Sequence, residues 1–134
     1  RQLLQALSAF DVVHLHNLHG GYFELRRLPE LCCGRPVVMT LHDCFLATGH
    51  CAHPMECPRW LAGCGRCPDL ERYPSAWRDA TRFNRAYRRQ LLARCDIHYI
   101  APSRWMISVL SRSSREGACC GCSSSKGARA IISR

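Results

Sequence analysis

The sequence predicts an α/β fold built on an incomplete parallel sheet, with a cysteine-rich loop. Short β-branched runs alternate with stretches of helical period, each run ends in polar sequence, and one long connection carries neither period. A chain of 134 residues with 47% hydrophobic content is one domain at most, large enough for a core and too apolar to be disordered throughout. The chain opens inside a helical stretch (Leu3, Leu4, Leu7) rather than at a methionine, and it is expected to be a piece of something longer. No apolar run approaches the roughly 20 residues of a bilayer crossing, and the first residues lack the apolar core and cleavage site of a signal peptide.

Residues 11–16 (DVVHLH) form a short buried strand, and residues 36–41 (PVVMTL) a second one rich in β-branched side chains. Between them Gly20-Gly21 opens a helical stretch through Leu28. Pro29 suits the first turn of another short helix, and Gly34 suits a turn. A third strand is expected over residues 97–101, and Ser103 can cap a helix running through Trp105, Val109 and Leu110. Such alternation builds βαβ units and a parallel sheet covered on both faces, with ligands in the crevice beyond the carboxyl ends of the strands.

That crevice rule selects the strand exits. They carry His14, His16, Asn17, His19, Gly20 and Gly21 after the first strand, Thr40, His42 and Asp43 after the second, and Ser103 and Arg104 after the third. Histidine can hold a ligand hydroxyl or phosphate, and glycine lets backbone approach closely. A following helix start offers free N–H groups to an anion. His14 and His16 share a strand face and are as readily core histidines as ligands. His42, at a strand exit beside a carboxylate, is read as functional.

Charge is uneven. The net +9 comes from 19 basic and 10 acidic residues, and Lys126 is the one lysine. Residues 72–94 hold seven arginines against Asp79. Within them Ala80, Phe83, Tyr87 and Leu91 lie on one helical face and Arg78, Arg82, Arg85 and Arg89 on another. The expectation is an amphipathic helix with its apolar face packed and its arginines solvated. Attraction of those arginines to anionic lipid or nucleic acid is the other reading.

Cys51, Cys57, Cys64 and Cys67 fall in the long connection with five, six and two residues between them. Four thiolates suffice for a closed, structural zinc site, which would staple a loop longer than compact domains usually tolerate. His50 and His53 are spare ligands, and disulfides or reduced thiols remain alternatives. A catalytic metal is not expected, since four cysteines leave no open position.

Four segments, DVVHLHNLHGGYF (residues 11–23), PVVMTLHD (36–43), TGHCAHPMECPRWLAGCGRCPDL (48–70) and APSRWM (101–106), resemble the bacterial family-4 glycosyltransferases of the GT-B fold, of the exopolysaccharide and colanic-acid type. The resemblance covers residues 1 to about 112. It implies the N-terminal, acceptor-side Rossmann-like domain (residues 1–110, with the cysteine-rich insertion at 44–75) of an enzyme that moves a sugar from a nucleotide-sugar donor to a glycan or lipid-linked acceptor, commonly with retention. It further implies His42 as the active-site histidine near the donor sugar or its phosphate, and His19, Gly20 and Gly21, shaped by Asn17, as the loop near the acceptor, with Asp43, Ser103 and Arg104 at the cleft. A cytoplasmic location, with contact at the inner membrane face, and inactivity without the donor domain follow from the same resemblance, and nucleic acid is not an expected partner.

Residues 111–134 lose the apolar period and the expected next strand, and are read as disordered or translated in a shifted frame. A native flexible tail binding metal through Cys119, Cys120 and Cys122 is the alternative. The competing function class is a small zinc-knuckle module whose arginine helix binds nucleic acid. Against it, the knuckle is scarcely basic and leaves the histidine-bearing exits unexplained.

Overall fold

In a computed structural model, residues 2–7, 9–114 and 130–132 are described. Helix α1 (Gln2–Leu7) precedes strand β1 (Val13–Leu15), helix α2 (Leu28–Cys32) and strand β2 (Val37–Thr40). After the cysteine-rich loop come helix α3 (Thr81–Leu92), strand β3 (Ile97–Ala101), helix α4 (Arg104–Ser114) and strand β4 (Ala130–Ile132). The strands pair in the order β1-β2-β3-β4, all parallel, with Val13 opposite Val37, Val37 opposite Ile97 and Tyr99 opposite Ala130. No helix among the described residues is long and apolar enough to cross a membrane.

Alternate strand residues Val13, Val37, Met39, Ile97, Tyr99 and Ala101 are buried on one sheet face, as the period of two requires. Leu28 and Leu31 of α2, Leu91 of α3, and Met106 and Val109 of α4 complete one core with them. The expected cover on both faces is not met among the described residues. His14 is exposed on the second face, and Val38, Thr40, His98 and Ile100 are half-buried there, because α2, α3 and α4 all contribute to the first.

Three local expectations are corrected. Residues 20–24 are not helical: Gly20 and Gly21 take φ of +95° and +80°, and only a 3-10 turn (Leu25–Arg27) precedes α2, in whose first turn Pro29 sits. Helix α3 is rotated part-way from the expected facing: Leu91 is buried and Arg82 exposed as expected, but Thr81, Arg85 and Arg88 are inward while Phe83 is 69% exposed and Tyr87 is also outside. The physical reason is what lies beneath it. Arg88 Nη1 donates to the carbonyls of Phe45 (2.7 Å) and Thr48 (2.8 Å), acceptors that a phenylalanine could not satisfy. Finally, a fourth strand exists at Ala130–Ile132 and α4 continues past residue 110 to Ser114, so the predicted lack of a next strand does not hold. The rest of the tail, including Cys119, Cys120 and Cys122, lies outside the described residues.

The loop from Cys44 to Ala80 is fastened without a metal cluster. Among the described residues no three His, Cys, Asp or Glu side chains converge as a metal ion would need, so the expected zinc set of Cys51, Cys57, Cys64 and Cys67 is not supported. The described cysteines are free, and burial pushes the thiols of Cys51 and Cys64 up. Polar links do the fastening instead. Cys44 N donates to Ala52 O, Ala52 N to Tyr73 O, Thr48 Oγ1 to Cys51 O, and His50 Nδ1 to Pro74 O. Asp79 accepts from Cys67 N at 2.7 Å and from both Thr81 N and Thr81 Oγ1, tying the Cys64–Cys67 turn to the start of α3.

Gly49 is where loop and helix touch: a Cβ there would lie 2.5 Å from Thr81 Cβ and from Thr81 O. Gly49→Ala is therefore expected to cost about 1–3 kcal/mol, read as a lowered urea midpoint at unchanged m-value. The three hydrogen bonds hold the Asp79 carboxyl down at about 2 against an ordinary 3.8. A lowered folded-state value means stability present above pH ~4 and lost toward pH ~2. Asp79→Asn is expected to lower stability by about 1 kcal/mol at neutral pH, discounted for exposure, and the gap to the native protein should close through that acid window. A gap that persists unchanged at pH ~2 would contradict this ionic role.

Candidate active site

The carboxyl ends of β1 and β2 bring four histidines and one carboxylate together. β1 and β2 are neighbours in parallel register (His14 beside Val38), so residues leaving them stand side by side. His14 Nε2 lies 2.8 Å from Thr40 Oγ1, and His16 Nδ1 lies 2.9 Å from His42 Nε2. The rings of His14 and His16 are 4.4 Å apart, and those of His16 and His42 stack at 5.2 Å. One proton lies between His16 and His42. If His42 donates it, His42 Nδ1 is left as an acceptor in the neutral ring; if His16 donates, Nδ1 carries a proton and acts as a donor. The exposed His42 ring thus suits either a hydroxyl or a phosphate oxygen.

His19 belongs to a second, more enclosed arrangement. Its Nε2 is 2.9 Å from Asp43 Oδ2, with both side chains only 10% exposed, while Asp43 Oδ1 accepts from Phe45 N at 2.8 Å. A carboxylate can only accept, so His19 donates from Nε2 and, in the neutral ring, accepts at Nδ1 from the Tyr73 hydroxyl at 3.3 Å. The edges of the Phe45 and Tyr73 rings flank it. Gly20 and Gly21 follow, their left-handed backbones requiring glycine, and beyond a Cβ at Gly21 there is open space for 4 Å. Together with Arg26, Phe45 and Tyr87 they border an open cavity of about 380 Å³.

The other predicted residues are placed less tightly. Asn17 is half-buried on the same loop. Ser103 Oγ accepts from Met106 N (3.2 Å) as a helix cap, and Arg104 is exposed in the first turn of α4. The exit of β3 adjoins that of β2 through Leu41 N donating to Ile100 O at 2.9 Å, but no hydrogen bond links Ser103 or Arg104 to the histidines among the described residues. Tyr73, Phe45 and Tyr87 were not foreseen. No sequence period marks a residue delivered across 54 positions, as Tyr73 is to His19.

The family model for Glycosyltransferase Family 4 matches residues 1–115. The chain belongs to that family. It is 30% identical over 118 residues to a protein of Escherichia coli (strain K12) named as the colanic acid biosynthesis glycosyl transferase WcaC, an alignment covering 81% of this chain and 29% of that protein. This family-4 chain therefore spans under a third of the length of that relative. No solved structure matches it at a significant level. The parallel α/β sheet agrees with a partial Rossmann-like fold.

The Asp43–His19–Tyr73 chain makes a spectroscopic prediction. Imidazole nitrogen shifts of the 134-residue chain should place the His19 proton on Nε2, and Asp43→Asn should raise the population of the Nδ1–H form, whereas Tyr73→Phe should leave the proton on Nε2.

Proposed function

We propose that this family-4 chain is the acceptor-side half of a glycosyltransferase that moves a sugar from a nucleotide-sugar donor to a glycan or lipid-linked acceptor in cell-surface polysaccharide synthesis, on the cytoplasmic side of the membrane. The observation that carries the reading is the convergence of His16, His42, His19 and Asp43 beyond the strand ends, in a chain of this family. The E. coli relative's name points to the same chemistry.

Sugar transfer makes an acceptor oxygen bond to the anomeric carbon as the bond to the donor's diphosphate breaks. The demands are a stabilised oxocarbenium-like centre, a leaving group relieved of charge, and a held acceptor hydroxyl. His42 Nδ1 can meet the donor sugar or its phosphate in either protonation pattern. The cavity beside Gly20 and Gly21 receives the acceptor, and Asp43 fixes the orientation of His19 at its wall. Asn17 shapes that loop, while Ser103 caps and Arg104 begins the helix facing the cleft. No nucleophile or catalytic metal is assigned, and most donor contacts belong to a second domain.

In the protein extended by its donor domain, His42→Ala is expected to lower transfer of labelled sugar to isolated membranes by about a hundredfold or more. The 134-residue chain alone should transfer nothing above background. An undiminished rate in the His42→Ala enzyme would remove the proposed role, and transfer by the isolated chain would remove the division of labour.

A further inference from the structure

Away from the strand exits and the long loop, two half-buried thiols meet where α2 ends and β3 is about to begin. Cys32 is the last residue of α2, and Cys95 lies two positions before Ile97, the first residue of β3. Helix α2 packs on α3, and both thiols rest against the core that Leu31 and Leu91 help to build. They hydrogen-bond to each other. Both also stand close to the Tyr99 hydroxyl, which is pushed up by burial first and then by the Cys95 and Cys32 thiols. Cys95 Sγ lies 3.3 Å from the Leu91 carbonyl as well, a contact that anchors it to the last turn of α3.

The two sulfurs are not equivalent. The hydrogen bond with Cys95 draws the Cys32 thiol down, against burial and the Asp96 carboxylate, while the same bond, followed by burial, pushes the Cys95 thiol up. A bond that lowers one partner and raises the other has Cys95 as donor and the Cys32 sulfur as acceptor. Cys32 is therefore the better attacking thiolate, and a second thiol already touches its sulfur. Cys33 is the more exposed neighbour, but it leaves the helical backbone (φ −79°, ψ 116°) and does not pack on the core. Exposure favours Cys33 as a target, whereas contact favours the pair Cys32 and Cys95.

We propose that Cys32 and Cys95 form an oxidative modification site, a thiol pair that closes into a disulfide when the chain meets a small-molecule disulfide. The Cys32 thiolate attacks one sulfur of the reagent, a new S–S bond forms, and the other half of the reagent leaves as a thiolate that takes up a proton. Cys95 then gives up its proton and attacks the Cys32 sulfur, expelling the second half as a thiol. Two protein thiols are oxidised, and one disulfide is reduced to two thiols. The link fastens the end of α2 to the entry of β3 and closes residues 33–94 into a loop that holds β2, the cysteine-rich segment and α3. His42, Asp43, Phe45 and Tyr73 lie within that loop, so the cross-link restrains the frame of the candidate site without adding an atom to it. The proposal does not depend on the glycosyltransferase reading.

The test treats the reduced 134-residue chain with oxidised glutathione, blocks the remaining thiols with iodoacetamide and maps the disulfides by peptide mass spectrometry. The first link to form should join Cys32 to Cys95, with a mass loss of about 2 Da that dithiothreitol reverses. The linked chain should melt about 5 °C higher, because the closed loop restricts the unfolded chain. Cys32→Ser and Cys95→Ser should each abolish the link and the shift in melting, whereas Cys33→Ser should keep both. The mapping itself is done on the native chain, so it decides the matter even where a serine variant fails to fold. A first link through Cys33 or between cysteines of the long loop, glutathione retained on Cys32 without closure, or a disulfide-linked dimer would each overturn the proposal. So would a chain whose Cys32 and Cys95 are both still alkylated after other thiols have been oxidised.

Discussion

Arg88 is 7% exposed, with Nη1 donating to two carbonyls of the loop and its guanidinium carbon 3.7 Å from the Phe45 ring centroid. Burying a cation costs several kcal/mol in lost hydration, and here the compensation comes from carbonyl oxygens and an aromatic face. Hydrogen bonds from a charged donor contribute about 1.5–3 kcal/mol each. Burial pulls the Arg88 pKa down to about 10, still well above neutrality, so the group stays a cation. Lysine would not replace it: an ammonium has no planar face to lay on the ring. The rest of the loop depends on this contact, because the segment it holds lies directly against α3.

The same clamp reaches the site through Phe45. Its carbonyl accepts from Arg88, its N–H donates to Asp43 Oδ1, and its ring edge packs on His19. Asp43, fixed by one oxygen, uses the other to orient His19, which in turn receives the Tyr73 hydroxyl. Tyr73 is held by its own backbone, since its carbonyl accepts from Ala52 N. The cysteine-rich loop therefore does more than fill space between β2 and α3. Through Phe45 it shapes one wall of the cavity beside Gly20 and Gly21.

The strands were legible because burial on a sheet leaves a period of two and β-branched runs: β2 and β3 lie within one residue of where residues 36–41 and 97–101 place them. The strand-exit residues His42, His19 and Asp43 were legible through the same topology. Helix α3 was legible in position but not in orientation. Periodicity fixes which residues share a face, and the inward face was decided by two carbonyls more than 35 positions away, which drew in Arg88 and left Phe83 outside. Four cysteines suggested a metal staple, which the described residues do not support. The backbone turns around Gly63 and Gly65 and the Asp79 hydrogen bonds supply the connection instead.

Arginine placement also limits what the net charge of +9 means. Arg85 and Arg88 are internal, Arg26 and Arg27 pair with Glu24, Arg72 with Asp69, and Arg35 binds the Leu7 carbonyl. Of the described arginines left without an ion pair, Arg59, Arg66 and Arg82 share one groove, while Arg78, Arg94, Arg104 and Arg112 lie outside it. At the strand ends the permanent charges are Asp43 and, in the first turn of α4, Arg104, while the histidines change theirs with protonation. A departing diphosphate needs more fixed positive charge than one arginine provides. On the proposed reading, that charge comes from the opposite side of the cleft, and this domain's contribution is to hold the acceptor hydroxyl and the sugar in line.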